Sequence, residues 1–140
     1  MKSFLRLLDF IVGAVFIYAG VIKMLDPAQF AGAIDNYKTR LPWAVCVGFA
    51  FYLPWLEIFC GLALVFRLLY HGALSILLAL ISVFIIATVA AKVRGLDITC
   101  GCFGHASQHW SFPAHIAVDL AILCAIGMLC LASRSEESNR

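Results

Sequence analysis

The residues of this chain best equipped for chemistry are two cysteines one glycine apart, Cys100-Gly101-Cys102, in the polar stretch between Lys92 and Ser111. A Cys-Gly-Cys unit can close a very small disulfide ring, the glycine relieving backbone crowding in the turn. Tight rings store strain, and strained or exposed disulfides are the more oxidising, exchange-prone kind. Lys92, Arg94, His105 and His109 bring positive charge near the pair. Such charge favours the thiolate, the species that attacks a disulfide or binds a soft metal. A redox dithiol at Cys100 and Cys102 is the first expectation. The competing chemistry is a soft-metal site for copper, zinc or mercury, in which Cys100 and Cys102 are joined by His105, His109 or His115. Structural zinc sites ordinarily use C-x₂₋₄-C spacing and four ligands, so the single intervening residue favours the redox reading.

The remaining thiols and the buried charges carry weaker signals. Cys60, Cys124 and Cys130 each stand alone inside an apolar run and are expected to pack as small hydrophobes. Cys46 follows Trp43 by three residues, about 5 Å by helical rise, at the same membrane side as the Cys100 loop. It is placed to resolve a mixed disulfide, although packing is the better expectation. Glu57 falls in the middle of an apolar run, Leu53-Pro54-Trp55-Leu56-Glu57-Ile58-Phe59-Cys60-Gly61. A carboxylate there costs about 2.5–3.5 kcal/mol on insertion scales, so it must face the protein interior and be protonated or paired. Pro54 removes the helical bond to the Ala50 carbonyl, and Gly61 permits close approach by another helix. Asp119 lies about 10 Å into the last apolar run by helical rise, within reach of the long side chains of Lys92 and Arg94. An Arg94–Asp119 pair is expected to fix the cysteine loop above the bundle. Asp9 and Lys23 lie at opposite ends of one run and so do not pair with each other. Tyr18 and Tyr52 are expected mainly to pack.

These residues need elements to hold them, and the composition says what kind. The 140-residue chain is 64% hydrophobic and 13% charged, with a mean hydropathy of +0.99 and a net charge of +2. Average soluble proteins are about 45–50% apolar and about 25% charged, so lipid is the solvent for most of this chain. The small, scattered positive charge argues against a nucleic-acid partner. Crossing the bilayer takes about 20 apolar residues in a helix. Four such runs occur, at about 7–24, 43–66, 68–91 and 112–132. Their continuous rather than alternating apolar character favours helices over barrel strands. The expected fold is all-α, a polytopic membrane protein built as a four-transmembrane-helix bundle over 1–132, with the Cys-Gly-Cys loop at 92–111 and a solvated tail at 133–140. Lys2 and Arg6 before a short apolar run also suggest a signal peptide, but the run continues through Val21, Ile22, Lys23 and Met24, as a helix with a snorkelling lysine would. Asp26-Pro27, Leu41-Pro42 and Gly95 punctuate the boundaries. Four spans put both termini on one side. Lys2, Arg6, Arg67, Arg134 and Arg140 then face Lys23, Lys38, Arg40, Lys92 and Arg94, an even balance that leaves orientation open.

Several of these residues together resemble a known family. Phe16-x₃-Gly20-x₂-Lys23-x₂-Asp26-Pro27-x₂-Phe30, Tyr37-x₃-Leu41-Pro42, Leu53-Pro54-Trp55-Leu56-Glu57-x₃-Gly61 and Cys100-Gly101-Cys102-Phe103-Gly104 are similar to the DoxX-like membrane proteins, most closely their methylamine-utilisation branch, MauE. The resemblance runs from Leu7 to about Leu131. It implies a bacterial inner-membrane protein with a periplasmic Cys100 loop and cytoplasmic termini. It also implies a part in making or maintaining disulfides of a periplasmic client, a methylamine dehydrogenase-like subunit, beside a thioredoxin-like partner. Broader relatives imply a quinone as electron acceptor, with Glu57 handling a proton or meeting the quinone head group. Quinone-linked disulfide-forming membrane enzymes use two cysteine pairs, whereas this chain has one pair and Cys46. The leading expectation is thus a membrane thiol-disulfide oxidoreductase or accessory, ahead of a soft-metal binding or transport protein and a non-catalytic scaffold for a maturation complex.

Overall fold

The computed structural model of the chain describes residues 2–36, 40–95 and 111–139. Among the described residues every regular element is a helix: α1 (Lys2–Leu25), α2 (Pro27–Asn36), α3 (Trp43–Phe66), α4 (Tyr70–Val93) and α5 (Phe112–Ser138). Helices α1, α3, α4 and α5 are each long and apolar enough to cross a bilayer. Only closed backbone hydrogen bonding survives in hydrocarbon, which is why such runs become helices. The chain is a multi-pass membrane protein.

Helix α1 packs most extensively on α3, while α4 lies against both α3 and α5, and α5 returns to α1. The bundle core joins Val12 and Phe16 of α1 to Cys60 and Leu64 of α3, Leu74, Leu77 and Ile81 of α4, and Ile126 and Leu129 of α5. Large apolar side chains such as Phe10, Phe59, Val83, Ile86 and Leu131 point outward, as lipid contact requires.

Glycine sets the α1–α3 seam. A Cβ added to Gly13 would stand 2.9 Å from the Gly61 carbonyl oxygen, and one added to Gly61 would stand 2.8 Å from that of Gly13. At Gly20 a Cβ would meet the Pro54 carbonyl oxygen at 2.8 Å. The two backbones touch through hydrogen atoms, as small-residue membrane packing allows, so Gly61 does admit a neighbouring helix and that helix is α1.

Three features depart from expectation. The connection after α1 contains α2, which begins at once because the Asp26 side chain accepts the Gln29 amide at 3.0 Å and Pro27 occupies a first-turn position that needs no amide hydrogen. Its Phe30 and Ala31 pack on Ala50 of α3. The last helix continues through Ser138, so Arg134 to Ser138, expected in a solvated tail, are exposed but helical. The α3–α4 turn contains two non-glycine residues with left-handed backbone, Arg67 (φ 57°) and Leu69 (φ 49°). Such conformations cost energy and persist only where neighbours hold them. Gly95, with φ 72°, ends α4 as expected.

Candidate functional site

Cys100, Cys102, His105 and His109 lie outside the described residues. The described chain fixes what stands at the same end of the bundle. There α4 closes at Val93 and α5 opens at Phe112, with Lys92 Nζ 5.3 Å from the Phe112 ring centroid. Helix α3 also starts at this end. Its Cys46 is wholly buried, at 0% exposure, and His115 of α5 is buried too.

Deeper in the bundle lies an ion pair. Lys23 Nζ donates to Glu57 Oε1 at 2.6 Å, and both side chains are 1% exposed. The seam explains how they meet. From the Gly20–Pro54 contact each residue is three positions further along its own helix, in opposite directions, leaving about 9 Å along the axis. Every helical Cα–Cβ bond tilts toward its own N-terminus. In an antiparallel pair that tilt leans Lys23 and Glu57 toward each other, and the lysine stem covers the rest. The ammonium also stands 4.5 Å from the Phe84 ring centroid and 5.2 Å from that of Phe30, distances at which aromatic faces attract a cation. Helices α1, α2, α3 and α4 thus all contribute to one charged centre.

Two of the sequence expectations change here. Lys23 is not a snorkelling interfacial lysine, because Glu57 draws it inward. It therefore leaves the cysteine-loop side of the charge balance. The ion pair expected between Arg94 and Asp119 is not formed; among the described residues, His115 and then Lys23 act on Asp119 electrostatically. Asp119 is 1% exposed, and its Oδ2 has no hydrogen-bond partner among the described residues. The same holds for Glu57 Oε2. Among the described residues no group of three or more His, Cys, Asp or Glu side chains is arranged to hold a metal ion.

A second charged network closes the other end. Asp9, 2% exposed, accepts from Arg67 Nε at 3.1 Å, Arg67 Nη2 at 2.8 Å and the Tyr70 hydroxyl at 2.6 Å. The guanidinium also lies 5.1 Å from the Tyr70 ring centroid. The hydrogen bond to Asp9 raises the Arg67 pKa above its ordinary value, so the cation persists throughout the working pH range. This clamp holds the strained α3–α4 turn and is structural. Sequence reasoning missed it; an aspartate early in α1 and an arginine just after α3 were the available signals. Tyr18 and Tyr52 face outward and take no part. Of the other thiols, Cys60 is buried in the core, Cys130 packs at its margin, and Cys124 is exposed on α5.

Comparison with known proteins places these features in context. A family model described as methylamine utilisation protein MauE matches residues 1–132. The methylamine utilization protein MauE of Methylophilus methylotrophus is 36% identical over 92 residues, which cover 65% of this chain and 48% of that protein. The chain thus spans about half the length of that curated relative. No solved structure matches it.

Proposed function

This multi-pass membrane chain belongs to the MauE family, and from that premise we propose that it serves methylamine utilisation as a thiol-disulfide redox protein. Cys100 and Cys102 exchange disulfides with a thioredoxin-like partner whose client is a dehydrogenase subunit outside the inner membrane. The observation that carries the reading is the Cys-Gly-Cys sequence in the connection between α4 and α5, at the bundle end where Cys46 and His115 are buried.

In one direction the Cys100 thiolate attacks a partner disulfide, forming a mixed disulfide and expelling one partner thiolate. Cys102 then attacks the Cys100 sulfur, closes the Cys100–Cys102 bond and expels the second thiolate. The partner gains two electrons and two protons, and the dithiol loses the same. The reverse sequence delivers a disulfide. Lys92, Arg94 and His105 favour the thiolates electrostatically, while Cys46, wholly buried, packs and takes no part in the exchange. Glu57 acts as a charge-balancing group. Lys23 holds its Oε1, and the Phe30 and Phe84 rings close on the same ammonium. Orientation follows the resemblance, with the Cys100 loop periplasmic and the termini cytoplasmic.

Alkylation mass shifts on native membranes test the reading. Cys100 and Cys102 should be blocked under oxidising conditions and released by reductant, and Cys102→Ser should trap the partner on Cys100. A membrane-impermeant reagent should reach them from the periplasmic face. If both thiols stay alkylatable under oxidising conditions without chelator, the redox assignment fails. If a chelator rather than a reductant unmasks them, soft-metal binding replaces it.

A further inference from the structure

Three hydrogen-bonding aromatic side chains stand where the membrane offers them nothing. Tyr18 of α1 is 54% exposed, and Tyr52 and Trp55 of α3 are 63% and 48% exposed. Tyrosine and tryptophan ordinarily sit at the membrane–water boundary, with the ring in lipid and the polar tip in water. These three are deeper. Trp55 lies twelve residues into α3, about 18 Å by helical rise, and Tyr52 nine residues in, about 14 Å. The glycine seam supplies the level of Tyr18: Gly20 meets Pro54 and Gly13 meets Gly61, so Tyr18 stands level with Leu56. All three lie well inside a hydrocarbon layer about 30 Å thick, too deep for their tips to reach water.

They also share one face. Successive residues advance by about 100° around a helix. That rotation puts Tyr52, Trp55 and Phe59 on one outward stripe of α3 and Tyr18 on the flank of α1 turned to the same side, away from Val12, Phe16, Cys60 and Leu64 in the core. Trp55 stacks on Phe59, with ring centroids 5.8 Å apart. Among the described residues neither hydroxyl nor the indole N–H has a hydrogen-bond partner. An acyl chain offers no acceptor, and an unpaired donor in hydrocarbon is costly. The three residues fall within a band of four residue levels, about 6 Å along the membrane normal. The set holds three donors and two hydroxyl oxygens, each oxygen able to accept twice, so it is self-complementary.

We propose that the outer face of the α1–α3 pair, marked by Tyr18, Tyr52 and Trp55, is the docking surface for a second copy of this chain. The copies are related by a two-fold axis along the membrane normal, and the same patch serves both. Such a rotation keeps every atom at its own depth, so the polar band of one copy meets that of the other, with α1 of each against α3 of its mate. A helix of another protein would need polar groups in that same narrow band; a second copy has them there by symmetry. The proposal stands apart from the thiol reading, since its readout involves no cysteine.

Sedimentation equilibrium of the full chain in density-matched detergent micelles tests it under reducing conditions. The wild type should associate reversibly to twice the chain mass. The triple variant Tyr18→Phe, Tyr52→Phe, Trp55→Phe keeps the apolar rings and removes the polar tips, and should lower the association constant at least tenfold. Ile86→Phe, on the outward face of α4, should leave it unchanged. In native membranes, p-benzoylphenylalanine in place of Tyr18 should give, on irradiation, a covalent adduct of twice the chain mass, a result that needs no purified variant. A monomeric wild type, or an association constant unchanged in the triple variant, overturns the proposal. So do photoadducts only to lipid, which leave the face to acyl chains, or only to a different protein, which assign it to another partner.

Discussion

Replacing Gly20 by alanine should loosen the bundle by a predictable amount. The new Cβ would lie 2.8 Å from the Pro54 carbonyl oxygen and 2.7 Å from Ile58 Cγ1, where ordinary contact begins near 3.4 Å. Ile58 is a side chain and can rotate. The Pro54 carbonyl is backbone and cannot, so α1 and α3 must part locally by about 0.6 Å, the gap between 2.8 and 3.4 Å. Overpacking of this kind costs about 1–3 kcal/mol, and 2 kcal/mol is roughly a thirtyfold fall in the folded-to-unfolded ratio. The same parting stretches the 2.6 Å Lys23–Glu57 contact one turn away, which places the cost in the upper half of that range. Gly48→Ala is the matched control, because nothing lies within 4 Å of its added methyl. It should be neutral, or stabilising by up to about 1 kcal/mol through helix propensity. The assay is unfolding of the full chain in detergent with increasing dodecyl sulfate, followed by tryptophan fluorescence. Gly20→Ala should lower the midpoint and Gly48→Ala should not. Gly13→Ala and Gly61→Ala should each lower it, and together by less than their sum, since helices parted for one methyl accommodate its neighbour. Equal midpoints for Gly20→Ala and Gly48→Ala would refute the seam.

Two further outcomes follow from the far-end clamp and the thiols. Tyr70→Phe should cost about 1 kcal/mol, and Asp9→Asn about 1–3 kcal/mol, because the latter leaves buried donors poorly matched. Amide exchange at residues 67–69 should accelerate in Asp9→Asn, where the two left-handed residues lose their tether; unchanged exchange would mean that Asp9 does not hold the turn. A lipid-soluble maleimide should label Cys124 in native membranes and reach Cys46 and Cys60 only after denaturation. Native labelling of Cys46 would contradict its 0% exposure.

The four spans were legible because hydrocarbon leaves an apolar chain few options, and the second run matches α3 at both ends. The outer ends were less so: α1 starts at Lys2 and α5 runs to Ser138. Their terminal turns project from the apolar zone and carry no hydropathy signal. Helix α2 was hidden by ambiguity in one dipeptide, since Asp26-Pro27 reads equally as the end of one helix and the capped start of another. Glu57 announced its need for a partner by its position alone. Lys23, 34 residues earlier, gave no sign that it was that partner, because the pairing depends on the glycine register between two helices. Asp9 posed the same difficulty more sharply, with Arg67 and Tyr70 58 and 61 residues away. The Cys-Gly-Cys reading rests on sequence, since those residues lie outside the described part of the chain.

Two prolines interrupt the backbone hydrogen-bond ladders on either side of the α2 packing cluster. Pro27 at the head of α2 withholds the amide hydrogen that would bond the Lys23 carbonyl, and Pro54 withholds the one owed to Ala50. Between these interruptions sit Phe30, Ala31 and Ala50. The backbone ladder of α1 thus ends before α2 begins, and α2 shares none of the glycine contacts that join α1 to α3. The cover that Phe30 places over Lys23 is therefore set by how α2 seats on α3, not by the backbone of α1.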